Sequence, residues 1–163
     1  MSRAVLSIGA NLGDTVGALR LAVDEFRPWL EAVSPVYRTP PWGPVSQDEF
    51  LNAVLIVADS TASPGDWLRR AHAAESAAGR VRDVRWGPRT LDVDVVDVDG
   101  LHTDEPELTL PHPRAAERAF VLVPWLAVDP HAELDGVAVA ELLAALPAED
   151  VDGIRLEPEV VLA

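Results

Sequence analysis

The sequence predicts an α+β fold in which helices pack on an antiparallel sheet. Near-continuous β-branched runs alternate along the chain with stretches in which apolar residues recur at helical spacing. Clusters of proline and glycine separate these stretches. The 163 residues suffice for one domain, which would bury about 68–70% of the surface that its unfolded chain exposes. We therefore expect residues 1–163 to form a single domain that needs no disulfide.

The first part of the predicted core is a strand at residues 3–9 followed by a helix. Asp14 can cap this helix, because its carboxylate can accept a hydrogen bond from a backbone N–H of the first turn. Apolar side chains then recur at helical spacing until Pro28 disturbs the final turn. A second strand is expected at residues 32–38. The segment 39–44 cannot be regular structure, since its prolines remove backbone donors and restrict their neighbours.

The second part of the core begins with an apolar run at residues 50–58. This run is β-branched enough for a central strand, and Asn52 is the polar exception in it. Ser63 and Pro64 can then supply the cap and the first residue of a second helix. Gly79 fits the position just after the end of that helix, where glycine is favoured.

The last core strand contains LDVDVV, and an acidic turn and two further helices follow it. We expect those helices near residues 114–126 and 137–146. The order of the core segments is therefore strand, helix, two strands, helix and strand. That order is typical of the split β-α-β core of ferredoxin-like α+β domains. The remaining segments are additions at the C-terminal end of this core.

A cationic segment at residues 80–89 lies directly before the last core strand. Its sequence, RVRDVRWGPR, holds four arginines, one tryptophan and a single acidic residue. In the strand that follows, Asp92 and Asp94 are two positions apart, so their side chains project from the same face. The opposite face is apolar and consists of Leu91, Val93 and Val95. Two carboxylates suit Mg²⁺, which completes its coordination with water and phosphate oxygens. The pattern indicates a metal-assisted phosphoryl-transfer site, and the alternative is a solvated acidic strand.

Composition excludes several classes of protein. A net charge of -14 and an isoelectric point near 4.5 disfavour nucleic acid and anionic membranes as partners. The chain has no cysteine, which excludes thiol catalysis and thiolate metal sites. All 13 basic residues are arginine, so a Walker-type phosphate loop and a Schiff-base mechanism are both excluded. No apolar run is long enough to span a membrane and no basic secretory signal is present, so we expect a soluble cytoplasmic protein.

Five sequence segments occur together and in a fixed order. They are YRTPPWGP (37–44), FLNA (50–53), GRVR (79–82), RWGPRTLDVDV (85–95) and LPHPRAAERAFVLVP (110–124). Over about the first 130 residues they resemble the 6-hydroxymethyl-7,8-dihydropterin pyrophosphokinase family of folate biosynthesis. The resemblance implies a ferredoxin-like fold that usually works as a monomer. It also implies that the pyrophosphoryl group of ATP is transferred to the pterin hydroxymethyl oxygen with release of AMP, and that two Mg²⁺ ions take part.

The resemblance implies roles for residues on the nucleotide side of the site. Asp92 and Asp94 would hold both Mg²⁺ ions. Arginines would form paired hydrogen bonds to the triphosphate, and those that match are Arg80, Arg82, Arg89 and Arg118. Three other side chains match nucleotide contacts, namely Glu75, Thr109 and His112. Trp86 lies in the segment that closes over the substrates in the family, which would exclude water and favour transfer over hydrolysis. The expected catalytic residues among these are Arg80, Arg82, Arg89, Asp92 and Asp94.

The resemblance also implies a pterin site. Phe50 and Phe120 match the two family positions that sandwich the ring, and a flat heteroaromatic ring binds well between such faces. Asn52 carries both a donor and an acceptor, which would explain a polar residue in an apolar strand. Recognition of the ring edge would be completed by backbone groups of Thr39, Pro40 and Trp42.

Each of these assignments has a structural alternative. Phe50 and Phe120 could be core aromatics, and Asn52 could end a hydrogen-bond network. Arg69 and Arg70 are expected on a solvated helix face. Two other functions also remain open. One is a metal-dependent phosphohydrolase that uses water as the nucleophile, and the other is a noncatalytic ligand-binding module on the same fold.

Overall fold

The computed structural model describes residues 2–40, 48–79 and 90–162. The core elements are β1 (Ser2–Ala10), α1 (Thr15–Phe26), β2 (Leu30–Val33), β3 (Tyr37–Thr39), β4 (Phe50–Asp59), α2 (Pro64–Ala77) and β5 (Asp92–Val98). The C-terminal additions are β6 (Thr103–Glu105), β7 (Leu108–Leu110), α3 (Ala119–Val128), β8 (Glu133–Leu134), β9 (Val137–Ala138), α4 (Val139–Ala144), α5 (Ala148–Asp152) and β10 (Arg155–Leu156). In this described part of the chain, no helix is both long and apolar enough to cross a membrane.

One six-stranded antiparallel sheet organises the fold. Its strand order is β10-β3-β4-β1-β5, and β2 also pairs with β4. β2 and β3 lie along different parts of β4 and together take the place of one strand. The core order is therefore that of a ferredoxin-like fold, in which two β-α-β units interleave. The predicted α+β, ferredoxin-like fold is confirmed, and β10 is an additional edge strand.

Helices cover both faces of the sheet. On one face, α1 and α2 pack over a core that includes Leu6 and Leu55. On the other face, α3 packs over Val54 and Ile56, which are buried together with Trp125. Because successive side chains of a strand alternate between faces, a strand covered on both sides is apolar throughout. This explains why the continuous apolar run correctly predicted β4 as a central strand.

The helix caps form as the sequence predicted. Asp14 Oδ1 accepts a hydrogen bond from the Gly17 N–H at 2.9 Å. In a capping box, the Ser63 N–H donates to Asp66 Oδ2 at 2.8 Å and the Asp66 N–H donates to Ser63 Oγ at 3.2 Å. Gly79 follows α2 with a φ of 71°, a left-handed value that favours glycine. These caps fix where both helices begin and where α2 ends.

The structure differs from the sequence predictions at three places in the backbone. The strand expected at residues 32–38 is interrupted, because Pro35 lacks a backbone donor and the Ser34 hydroxyl accepts from the Val54 N–H at 2.8 Å. The acidic turn after β5 contains the hairpin β6–β7. The helix α3 begins later than expected, after a 3-10 turn at Ala115–Glu117.

Arg70 does not lie on a solvated helix face, so that prediction is wrong. Its guanidinium carbon is 3.8 Å from the centroid of the Trp29 ring and 4.8 Å from that of Trp67. Its Nη2 donates to Asp59 Oδ2 at 2.8 Å. Trp67 lies one turn before Arg70 on α2, so the helix itself brings the cation and the ring together. Arg69 is exposed, as expected.

Candidate active site

Pairing of four strands places two predicted site residues, Asn52 and Asp92, in one row across the sheet. Strand pairing places Tyr37, Asn52, Gly9 and Asp92 side by side on β3, β4, β1 and β5. Directly opposed residues of antiparallel strands point to the same face. Val54, two positions after Asn52 on β4, is packed in the core under α3, so the row lies on the α3 side. Asn52, which is predicted to contact the pterin, and Asp92, which is predicted to hold Mg²⁺, therefore share a face.

The two carboxylates of β5 have small neighbours on β1. Asp92 and Asp94 are partly exposed. The other side of β5 is buried as predicted and holds Leu91, Val93 and Val95. On the carboxylate side, β1 contributes Gly9 opposite Asp92 and Ser7 opposite Asp94. β1 therefore places no bulky side chain beside the acidic pair.

Arg118, just before α3, approaches the carboxylates from the helix layer. Its Nη1 is 3.6 Å from Asp94 Oδ2, and its guanidinium carbon is 5.5 Å from the centroid of the Phe120 ring. A separation of 3.6 Å gives electrostatic attraction but is too long for a direct hydrogen bond. The Arg118 side chain is 19% exposed and that of Asp94 is 39% exposed. The Arg118 guanidinium is mostly buried and lies beside a partly exposed carboxylate. It can therefore bind an anionic group, such as a phosphate, that reaches this face.

His112 lies beside β5 in its neutral form. Its backbone N–H donates to Val96 O at 2.8 Å, and its Nδ1 accepts from the Arg114 N–H at 3.2 Å. Burial, followed by the charges of Arg118 and Arg114, lowers the pKa of His112 to about 4. At neutral pH the ring proton is therefore on Nε2, and that nitrogen can donate to a ligand.

Asn52 is buried in β4 and has polar partners on both sides. The Thr39 hydroxyl donates to Asn52 Oδ1 at 2.7 Å, and Asn52 Nδ2 lies 3.5 Å from Ile8 O. A Cβ atom built on Gly9 would lie only 2.4 Å from Asn52 Nδ2. The amide therefore occupies space that any side chain at Gly9 would fill.

The two phenylalanines come from the two layers that enclose this face. Phe50 is partly buried on β4, where it pairs with Thr39 of β3. Phe120 is partly buried in the first turn of α3 and packs against the core beneath that helix. A flat ligand between the sheet and α3 could thus contact an aromatic ring from each layer. Pro40 is exposed, and its Cγ would lie 3.4 Å from a Cβ built on Gly153 of the C-terminal segment.

Glu75 and Thr109, which are predicted nucleotide contacts, make hydrogen bonds within the fold. Glu75 is buried on α2, and its Oε2 accepts from the Val93 N–H of β5 at 3.0 Å. The Thr109 hydroxyl donates to Glu105 O across the β6–β7 hairpin at 3.2 Å. Glu75 therefore supports the strand that carries the carboxylates.

Two residues of the aligned row were not predicted as site residues. Gly9 and Tyr37 flank Asn52 on either side, and burial raises the pKa of the Tyr37 hydroxyl. A glycine inside a strand often marks the close approach of another group, and this signal was present at Gly9. Five predicted site residues lie outside the described residues, namely Trp42, Arg80, Arg82, Trp86 and Arg89.

Comparison with known proteins identifies close relatives. The family model described as 7,8-dihydro-6-hydroxymethylpterin-pyrophosphokinase (HPPK) matches residues 5–130. A curated relative from Mycobacterium tuberculosis is named 2-amino-4-hydroxy-6-hydroxymethyldihydropteridine pyrophosphokinase. It is 50% identical over 169 residues, which cover 96% of this chain and 90% of the relative. A relative of the same name from Methylorubrum extorquens is 40% identical over 159 residues, covering 95% of this chain and 100% of the relative.

Solved structures share this fold even though their sequence identity to the chain is low. The wild-type HPPK-DHPS of Plasmodium falciparum superposes with a TM-score of 0.66 at 12% identity, covering 88% of this chain and 44% of that chain. A variant of the same protein, crystallised with SDX-DHP, gives a TM-score of 0.69 at 13% identity and is matched over 45% of its length. This chain thus spans less than half of those longer proteins. Neither the phosphohydrolase nor the noncatalytic module is favoured by these matches. Because the family's sequence pattern extends over most of a chain that has the family's fold, this protein belongs to the 7,8-dihydro-6-hydroxymethylpterin pyrophosphokinase family.

Proposed function

We propose that this protein transfers the pyrophosphoryl group of ATP to 6-hydroxymethyl-7,8-dihydropterin in folate biosynthesis. The pterin hydroxymethyl oxygen bonds to the β-phosphorus and loses its proton, while the bond from the β-phosphorus to the α,β-bridging oxygen breaks. The products are the pterin diphosphate and AMP. One observation carries the proposal. The strand register places Asn52, Asp92 and Asp94 on one face, and Arg118 reaches that face from the helix layer.

Asp92 and Asp94 fit a magnesium site. Both are partly exposed on one face, and the described residues contain no larger group of acidic, histidine or cysteine side chains that could hold a metal ion. Mg²⁺ commonly binds to one or two protein carboxylates and takes its other ligands from water and substrate phosphates. We propose two Mg²⁺ ions, which when bound would neutralise phosphate charge and stabilise the entering and leaving oxygens.

Residues around the carboxylates would hold the triphosphate and exclude water. Arg118 would exchange its distant contact with Asp94 for paired hydrogen bonds to phosphate oxygens. His112 would donate from Nε2, since its lowered pKa keeps the ring neutral. The remaining nucleotide assignments stay predictions from the sequence and concern Glu75, Arg80, Arg82, Trp86, Arg89 and Thr109.

The pterin would bind between the sheet and α3. Phe50 and Phe120 would stack on its two faces, and Asn52 would form hydrogen bonds with its edge. Backbone contacts would come from Thr39, Pro40 and Trp42. Because Asn52 and Asp92 lie in one row, this placement brings the edge-binding amide and the metal-binding carboxylate onto the same face.

We extend the proposal to the whole chain as one domain, residues 1–163. β10 pairs with β3 of the main sheet, and Leu162 is buried in the core beneath α1 and α2. The segment after residue 130 thus contributes to the same core. A monomer without nucleic-acid or membrane partners, located in the cytoplasm, stays a prediction from composition and from the resemblance.

The proposal is tested by measuring AMP and inorganic phosphate formed from ATP and Mg²⁺, with and without 6-hydroxymethyl-7,8-dihydropterin. We expect AMP only when the pterin is present, in equal amount to the pterin diphosphate. Phosphate release from ATP without pterin would instead support the phosphohydrolase. Pterin binding without any AMP would support a noncatalytic module.

A further inference from the structure

We propose that the side chain of Thr39 is a positioning residue that fixes the orientation of the Asn52 amide. The inference rests on the proposed function, in which Asn52 contacts the edge of the pterin. It concerns the Thr39 hydroxyl, whereas the site assignment above uses only the backbone of that residue. Thr39 on β3 and Asn52 on β4 lie on the same face, because Thr39 is two positions along β3 from Tyr37, the residue paired with Asn52.

The hydrogen bond between these side chains is short and buried. Thr39 Oγ1 donates to Asn52 Oδ1 at 2.7 Å, and the two residues are only 2% and 5% exposed. Water has little access to such a bond, so a lost partner is not readily replaced. The hydroxyl therefore holds the oxygen end of the amide on the β3 side.

The nitrogen end of the amide is turned toward β1. Asn52 Nδ2 lies 3.5 Å from Ile8 O, at the outer limit of a hydrogen bond. Reversing the amide would place Oδ1 against this carbonyl oxygen, and two acceptors in contact repel each other. The contacts with Thr39 and Ile8 thus select the same orientation.

Gly9 provides the space for this orientation. A Cβ atom at Gly9 would lie 2.4 Å from Asn52 Nδ2 and 3.5 Å from Asn52 Cγ, so even alanine would displace the amide. Gly9 does not have the positive φ found at four other glycines of the described chain, so its requirement is for space. Thr39 and Gly9 therefore act on the amide from opposite sides.

Loss of this hydrogen bond should affect binding of the pterin more than binding of ATP. With Oδ1 held by Thr39, the amide presents a fixed arrangement of donor and acceptor, and a ligand need not order it on binding. Replacing the hydroxyl by a methyl group leaves the shape almost unchanged but frees the amide to rotate. ATP binding and the chemical step should be much less affected, because none of the residues proposed for them belongs to β3 or β4.

The test compares Thr39→Val with Thr39→Ser, which restores a hydroxyl. We expect Thr39→Val to raise the KM for 6-hydroxymethyl-7,8-dihydropterin about tenfold, equivalent to about 1.4 kcal/mol, with kcat and the KM for ATP within about twofold. Thr39→Ser should recover most of the loss. Thr61→Val is a matched control, because the Thr61 hydroxyl also donates to a neighbouring side chain, Asp59, but at the other end of β4. Its pterin KM should equal that of the wild type.

Nuclear magnetic resonance provides a readout that does not depend on activity. In ¹⁵N-labelled wild type and Thr39→Ser, the two side-chain amide proton signals of Asn52 should exchange slowly with solvent. In Thr39→Val both signals should shift and exchange faster with solvent, because the Asn52 side chain can then rotate about its Cβ–Cγ bond. Gly9→Ala, checked by thermal unfolding, should disturb the same signals from the other side. Unchanged Asn52 signals in Thr39→Val, or an equal rise of both KM values, would overturn the positioning role. Absence of pterin-dependent AMP formation in the wild type would instead overturn the proposed function.

Discussion

Two arginines contact a carboxylate and an aromatic ring on opposite sides of the sheet, and they do so at different distances. On the side of α1 and α2, Arg70 Nη2 is 2.8 Å from Asp59 Oδ2, and its guanidinium carbon is 3.8 Å from the Trp29 ring centroid. On the α3 side, the corresponding distances at Arg118 are 3.6 Å and 5.5 Å. The closed cluster comprises Arg70, Asp59, Trp29 and Trp67, and the open cluster comprises Arg118, Asp94 and Phe120.

The carboxylate of the closed cluster is held within the fold, whereas we propose that the carboxylate of the open cluster helps to hold Mg²⁺. Asp59 also accepts hydrogen bonds from the Thr61 N–H at 3.0 Å and the Thr61 hydroxyl at 2.8 Å. These bonds, followed by the contact with Arg70, lower the pKa of Asp59. The Asp59 side chain is 14% exposed, compared with 39% for Asp94. Similar residue types thus form a short, hydrogen-bonded contact in one place and a longer contact with a more exposed carboxylate in the other, so distance and exposure distinguish the two.

The largest expected difference between the clusters is in catalysis by their carboxylates. Asp94→Asn should lower turnover by about 100-fold, because it removes half of the charge proposed to hold Mg²⁺ while nearly keeping the shape. The unfolding temperature should change by no more than about 2 °C. AMP formation at saturating Mg²⁺ measures the first effect, and thermal unfolding measures the second.

Two control variants separate this effect from loss of charge in general. Asp59→Asn in the closed cluster should lower the unfolding temperature and leave turnover unchanged. Asp97→Asn changes another carboxylate of β5, which bonds to the Gly100 N–H, and should also keep turnover. Normal turnover of Asp94→Asn at saturating Mg²⁺ would contradict the catalytic role proposed for the open cluster.

The second difference concerns ATP binding by the arginines. Arg118→Met should lower kcat/KM for ATP about tenfold, because the paired hydrogen bonds to phosphate are lost. Arg118→Lys should recover only part of this, since an ammonium group cannot form the same paired bonds. Steady-state kinetics with varied ATP concentration measure kcat/KM for both variants. Full activity of Arg118→Lys would mean that charge alone is required.

The closed cluster should respond to the same substitution through stability. Arg70→Met removes cation–π contacts with two tryptophans, and we expect a loss of about 2 kcal/mol, or about 4–8 °C in unfolding temperature. The kcat/KM for ATP at 25 °C should equal that of the wild type. If Arg70→Met instead reduced kcat/KM as Arg118→Met does, the distinction between closed and open clusters would fail.

The sequence predicts the parts of the molecule in which local pattern and burial agree. Alternation along β5 correctly predicted that Asp92 and Asp94 share a face, because the intervening Val93 is buried on the other side. The caps at Asp14 and Ser63 were likewise predictable, since each depends on residues within one helical turn.

The sequence could not predict contacts that arise only when distant segments pack together. Arg70 looked like a surface residue because its neighbours along α2 do not reveal that the Trp29 ring covers it. The bond between Thr39 and Asn52 depends on the register of β3 and β4. The hairpin β6–β7 was missed because β6 contains no apolar residue and the apolar alternation of β7 extends over only three residues, Leu108–Leu110.

The smallest expected difference is in the titration of His112, which adjoins only the open cluster. Burial is the main cause of its lowered pKa of about 4, and the charge of Arg118 is the second. Arg118→Met should therefore raise this pKa partway toward 6.5, whereas Arg70→Met should leave it unchanged. The ¹H resonances of the His112 ring, followed by NMR between pH 3 and 8, measure both.

The same shift predicts how His112 affects stability as the pH changes. The folded-state pKa of His112 lies below the unfolded value of 6.5, so protonation of His112 favours the unfolded state. The contribution of neutral His112 to the free energy of unfolding is therefore fully present above pH 6.5, and it is lost as the pH falls toward about 4. In Arg118→Met, part of that pH dependence should disappear, because the folded-state pKa moves closer to the unfolded one. An unfolding temperature whose pH dependence changes equally in Arg118→Met and Arg70→Met would show that His112 does not sense the open cluster.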